Sequence, residues 1–243
     1  MKKLLLMAFL AVGMTANAET IVTSDDDTKA SQGVELGKGK DANDRWSAHV
    51  QLGVNVPTDT PEGVDFAPFR SWELGLTLLQ YDYTPKNWNT TFSAGLGFGW
   101  RAYTLKGHDK AFVKDSNFLT GENYVDVVPG SIYGHVDDLS SNVHITSLSM
   151  PLLVNQRFSK NFAISLGAQL NCNIWGRLHT SYELGDEDVD IYTKNLRYRP
   201  FTVDVLGIVH VWELGLYCKY SPMSVFKKDK GPEFKSFAFG IYF

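Results

Sequence analysis

From Trp46 onward, apolar and polar residues take turns along the chain. In RWSAHVQLGVNV, Trp46, Ala48, Val50, Leu52, Val54 and Val56 alternate with Ser47, His49, Gln51, Gly53 and Asn55. A period of two marks a strand with one apolar and one polar face. Seven further segments repeat the pattern. Trp72, Leu74, Leu76 and Leu78 oppose Glu73, Gly75 and Thr77. Phe92, Ala94, Leu96, Phe98, Trp100 and Ala102 oppose Ser93, Gly95, Gly97, Gly99, Arg101 and Tyr103. Leu148, Met150, Leu152 and Val154 make a fourth apolar face, where Pro151 removes a ladder donor and predicts a bulge or break. Phe162, Ile164, Leu166, Ala168, Leu170 and Ile174 make a fifth. Three shorter segments carry Phe201, Val203 and Val205, then Leu214, Leu216, Cys218 and Tyr220, then Phe237, Phe239, Ile241 and Phe243.

Alternation alone also fits a soluble barrel, so the second face decides. A soluble barrel turns its apolar face inward and shows charge to water. Here the second face is Gly, Ser, Thr, Asn and Gln with few charges, which suits a narrow polar lumen. Aromatic residues gather near segment ends: Trp46, Phe92, Phe158, Phe162 and Phe243 toward one rim, Trp72, Trp100, Phe201 and Tyr220 toward the other. Those positions read as two interfacial girdles. The connections alternate in length: long at 57–68, short at 85–89, very long at 104–140, tight at 159–161, long at 176–196, tight near His210 and long at 221–234. Outer-membrane barrels have short periplasmic turns and long extracellular loops. The expectation is an all-β chain whose residues 45–243 form an eight-stranded antiparallel transmembrane up-and-down β-barrel. A soluble periplasmic lipid-binding barrel is the alternative fold.

Composition agrees with this reading. The 243 residues include 15 Phe, 11 Tyr and 21 Gly, and the net charge is −4. No basic block offers a nucleic-acid footprint. No run of about eighteen apolar residues could span a bilayer as a helix. Lys2 and Lys3, an apolar run from Leu4 to Val12 and Ala16-Asn17-Ala18 describe a cleaved secretory signal over 1–18. Residues 19–44 hold seven acids, three lysines and almost no large apolar side chain, and read as a flexible periplasmic leader. Its Asp25-Asp26-Asp27 triplet reads as a solvated run. The location implied is the outer membrane of a Gram-negative bacterium.

The ending Phe239, Ile241, Phe243 looks like the C-terminal signal by which outer-membrane barrels are recognised for assembly. SLSMPLLVNQRF at 147–158, LYCKYSP at 216–222 and the closing KGPEFKSFAFGIYF resemble the Bacteroidetes outer-membrane β-barrel family related to PorT. The resemblance covers roughly 45–243 and concerns fold-level pattern. It implies a barrel without an assigned activity, or an accessory to a secretion apparatus. Fold similarity by itself carries no function.

The inward polar residues are His49, Glu73, Arg101, Arg157, Asp204 and Lys219. Pairing outward from the turn at 85–89 sets residues summing to about 173 opposite one another, which places Glu73 beside Arg101. A buried carboxylate and guanidinium need one another, so an ion pair Glu73–Arg101 is expected to plug the lumen. His108, His135, His144, Ser140, Ser141 and Ser147 are the residues that an outer-membrane lipid hydrolase would use, with no acid fixed by spacing to orient them. Asp186-Glu187-Asp188-Val189-Asp190 lacks the glycine spacing of a calcium loop and reads as a solvated tip. Cys172 and Cys218 fall two strands apart and are expected as unpaired thiols facing lipid. No cofactor is expected. The partners expected are outer-membrane lipid, the barrel-assembly machinery and an extracellular or secretion-system protein. The function expected is structural or surface-binding, through the loops, with a narrow gated pore as an alternative.

Overall fold

The computed structural model describes the backbone of residues 34–38 and residues 45–243 apart from 87, 117–121, 135–136, 186 and 213. The signal at 1–18, most of the leader, its aspartate triplet, His135 and Asp186 lie outside the described residues.

Twelve strands run in chain order: β1 Val34–Lys38, β2 Arg45–Thr58, β3 Trp72–Tyr83, β4 Thr90–Thr104, β5 Lys110–Ser116, β6 Asn123–Pro129, β7 Asp137–Ser159, β8 Phe162–Leu184, β9 Glu187–Thr193, β10 Phe201–Val211, β11 Leu214–Ser221 and β12 Lys235–Tyr242. Eight of them close a ring. β2, β3, β4, β7, β8, β10, β11 and β12 each pair antiparallel with the next, and β12 pairs with β2. At the seam Val50 and Phe243 exchange two backbone hydrogen bonds, each 2.8 Å.

The four strands outside the ring were not expected. β1 pairs with residues 45–48 of β2, where β12 has already ended. β5 and β6 form a separate hairpin within the long 104–140 connection. β7 and β8 are each 23 residues long and run on together past the ring, and β9 adds to the projecting edge of β8. Sequence reading opened the fourth segment after Ser140 and closed the fifth near Ile174, because past the apolar band Val143, Ile145 and Leu178 turn inward while His144, Arg177 and His179 face out.

Burial is inverted relative to a water-soluble barrel. Leu52, Leu96, Leu166, Val205, Leu216 and Phe239 are 38% or more exposed, at 47, 51, 62, 56, 53 and 46%. Ser47, His49, Gln51, Glu73, Arg101, Asn171, Asp204 and Lys219 are buried inside the ring. The face assignment fails at one place. The register between β3 and β4 shifts between Thr77 and Leu79, and β2 shifts opposite the same point, so Leu78 is an extra residue in β3. Both Leu78 and Leu79 face outward, and beyond them the inward parity switches to Gln80 and Asp82. Tyr81 and Tyr83, which unbroken alternation from Glu73 would put inside, therefore lie on the outer side: Tyr83 is 45% exposed and Tyr81 packs against Trp46.

Connections at the end carrying Phe243 are short, and those at the other end are long. The long ones fold inward over the ring. Phe66 follows β2, Phe112 comes from β5, Val125 from β6, Leu196 from the β9–β10 connection, and Phe226 and Phe234 from the β11–β12 connection. With Tyr103, Val143, Ile145 and Leu178 they form one apolar cluster capping the loop end.

Candidate functional site

The ring interior is filled in layers. Nearest the short turns, the Asp82 carboxylate accepts from Ser47 at 3.1 Å, Gln80 at 2.8 Å and Ser93 at 2.5 Å. Ser47 also bonds His49 Nε2 at 2.9 Å, and His49 stacks on Tyr242 with ring centres 5.0 Å apart. Across from them, Ser165 bonds His210 Nε2 at 2.9 Å. Leu153, Leu206, Ile208, Tyr217, Ala238 and Tyr242 form an apolar layer above.

The next layer holds the charges. Glu73 and Arg101 are Cα partners across β3 and β4, one residue off the expected sum. They do not form the expected ion pair. Glu73 instead meets Lys219 at 2.7 Å and accepts from Gln51 and Tyr217, both at 2.8 Å. Arg101 lies 3.6 Å from Asp204 and donates to Asn173 at 3.1 Å, while Asn171 donates to Asp204 at 2.8 Å. Two ion pairs thus link β3 to β11 and β4 to β10, across the ring rather than along one hairpin. The physical reason is reach. The lumen of an eight-stranded barrel is narrow, so a long side chain meets the opposite wall as readily as its neighbour. Gly53 makes room for this: a Cβ there would stand 2.0 Å from the Tyr217 hydroxyl. Four of the expected lumen residues, His49, Glu73, Asp204 and Lys219, are thus engaged in bonds or ion pairs, as is Arg101. Arg157 is half-buried at the short-turn end of β7.

Among the described residues, the expected hydrolase side chains do not converge. His144 faces outward beside Arg177, with its ring 6.2 Å from that of Trp72. Ser141 and Ser147 are buried on the other face, where Ser141 bonds Thr180 and Ser147 bonds the Gly99 carbonyl. Ser140 accepts from Arg70, and His108 bonds the Leu139 carbonyl. Glu187, Asp188 and Asp190 of the acidic segment lie on β9, where successive side chains alternate faces; Asp190 meets His179 at 2.8 Å. Among the described residues no cluster of three or more His, Cys, Asp or Glu could hold a metal ion. Cys172 and Cys218 are free thiols on the outward face.

The loop end carries a feature that alternation could not reveal. An open cleft of about 730 Å³ lies among the β2–β3 connection, the β5–β6 hairpin and the β11–β12 connection. Pro61, Val64, Val127 and Pro232 give it apolar walls, and Glu62, Asp109, Asp126 and Asp229 give it four carboxylates against one lysine, Lys110. Lys230 bonds Glu122 and holds its carboxyl below the usual range, tying the hairpin to the β11–β12 connection beside the cleft. The cleft depends on where three distant loops meet, so no local spacing announces it.

No family model matches the chain, and no curated protein matches it.

Proposed function

We propose that the protein is a small outer-membrane β-barrel of a Gram-negative bacterium. In this reading the ring is an up-and-down transmembrane barrel with periplasmic short turns and extracellular long connections. Its packed interior serves stability, and its loop end binds a surface partner. The observation that carries the reading is the inverted burial of the eight ring strands, with leucine, valine and phenylalanine outward and buried ion pairs within. In water such an exterior would be one continuous apolar patch far beyond the few hundred Å² that soluble monomers expose. In a bilayer it is the required surface.

Aromatic placement supports the same orientation. Trp88 and Trp212 stand 57% and 71% exposed at two of the short turns, near Phe158, Phe162 and Phe243 at strand ends. Such residues anchor a barrel at the headgroup level. Surface binding is assigned to the loop-end cleft, whose apolar walls and excess of carboxylates suit an extended, positively charged protein segment.

The test is heat-modifiability on SDS gels, comparing boiled and unboiled outer-membrane fractions. A mobility shift in that fraction is expected of a closed, detergent-resistant barrel. An unshifted, soluble periplasmic protein would overturn the reading.

A further inference from the structure

Along β8 the outward side chains change character in order. Leu166 and Ile174 are 62% and 53% exposed, Trp175 follows at 45%, and Arg177 and His179 come next. The register with β7 shifts between Thr146 and Ser147, giving β8 one extra residue there. That bulge turns Trp175, Arg177 and His179 outward while Leu178 enters the apolar cap. On the neighbouring strand His144 is the Cα partner of Arg177, and Ala102 of β4 is the partner of His144.

Arg177 is held between rings. Its guanidinium carbon stands 5.3 Å from the Trp175 ring centre and 5.5 Å from that of Tyr192. Tyr192 in turn stacks on His179 at 4.5 Å with the planes 4° apart. The nearby carboxylate of Asp190 is engaged by His179 at 2.8 Å. Arg177 pairs with no carboxylate among the described residues, and its Nε is buried with no acceptor. A guanidinium stays charged at any physiological pH and presents its donors as a planar fork. Here the aromatic rings cover it and, among the described residues, no carboxylate completes it.

We propose that Arg177, beside His144 and His179, binds the phosphate headgroup of an anionic lipid in the leaflet on the loop side. The inference rests on the membrane reading above. Charge complementarity and position select the lipid. The site continues the apolar outer band with no break, and from Ile174 to Arg177 the strand advances only about 10 Å. That order of apolar, aromatic and cationic residues matches hydrocarbon, interface and headgroup. The guanidinium fork suits two oxygens of one phosphate, and Trp175 and Tyr192 keep it from collapsing onto the sheet.

The full chain, purified in dodecyl maltoside, would be mixed with dioleoyl phosphatidic acid or dioleoyl phosphatidylcholine, and the retained lipid counted by native mass spectrometry. Wild type is expected to hold the phosphatidic acid about tenfold more tightly. Arg177→Gln should lose that preference, and Arg177→Lys should keep only part of it, because a point charge lacks the fork. Lys86→Gln, in a short turn at the opposite end, should retain the wild-type preference. Equal retention of both lipids by wild type, or an undiminished preference in Arg177→Gln, overturns the inference. Displacement of the lipid by inorganic phosphate as readily as by more phosphatidic acid would reduce Arg177 to a general anion site and overturn the lipid assignment. Each protein is also run boiled and unboiled: a wild type with no mobility shift fails the barrel reading itself, whereas a shifted wild type without lipid preference fails this inference alone. If Arg177→Gln does not shift, Arg177→Lys carries the comparison.

Discussion

Glu73 is 1% exposed and has three partners on two strands: Lys219 and Tyr217 from β11, and Gln51 from β2. Removing one member of a buried pair strands the other charge, at a cost of about 3–5 kcal/mol. Glu73→Ala should therefore lower the temperature at which the unboiled species is lost. The second substitution identifies the partner. Glu73→Ala/Lys219→Met should recover most of the loss, because no unpaired charge remains. Glu73→Ala/Arg101→Ala should recover none, because it leaves both Lys219 and Asp204 uncompensated. Recovery in the second double variant instead of the first would contradict the cross-ring pairing. At this scale the sequence made the neighbours legible and left the bonds hidden. Counting out from the 85–89 turn placed Glu73 opposite Arg101 to within one residue. Which of four buried charges pair depends on the lumen width and on the absence of a side chain at Gly53, and neither is written in any single strand.

The bulge in β3 governs a whole element. Before Leu78 the odd residues Glu73, Gly75 and Thr77 line the interior; after it the even residues Gln80 and Asp82 do. Deleting Leu78 would remove the bulge and still leave Leu79 outward with Gln80 and Asp82 inward, beside Ser47 and Ser93. A one-residue slip does reverse every side chain beyond it, and an alanine inserted between Leu79 and Gln80 would make one, turning Gln80 and Asp82 outward. The deletion and Leu78→Ala should both preserve the heat-shifted species, whereas the insertion should abolish it. An insertion variant that still shifts like wild type would mean that the ring tolerates charge on its outer face. The adjacent pair Leu78-Leu79 was the available signal, since two successive outward apolar residues break a period of two. The long β7–β8 hairpin was less legible. Past the apolar band its inner face takes Val143, Ile145 and Leu178 and its outer face His144, Arg177 and His179, so the apolar stripe changes sides while the backbone pairing continues to Asp137 and Glu183.

At the scale of the molecule, an ionic layer crosses the ring and an apolar cap of Phe112, Phe226, Phe234 and their neighbours closes the loop end. The two barriers are independent. In planar bilayers wild type is expected to give no sustained conductance steps, and Phe112→Ala/Phe226→Ala, which loosens only the cap, should give none either. Steps from wild type that change on neutralising Arg101 would favour a gated pore instead. The eight ring strands, their order and the short-turn and long-loop ends of the ring were readable from alternation and from the rhythm of short and long connections. The cap and the cleft were not, because they are built by residues more than a hundred positions apart, such as Phe66 and Phe234, whose rings lie 4.7 Å from each other.

The seam between Val50 and Phe243 has a consequence for the timing of biosynthesis. The first ring strand leaves the ribosome nearly two hundred residues before the strand that seals it. Until the final strand arrives, the curved sheet has two open rims, and Glu73 and Lys219 wait on strands β3 and β11 that only closure brings face to face. A copy ending before Lys235 would keep most of its hairpins and lose the enclosure that makes their charges tolerable. Closure of the ring is thus decided by β12, Lys235–Tyr242, and any factor that escorts the chain would hold an incomplete cylinder until that strand is in hand.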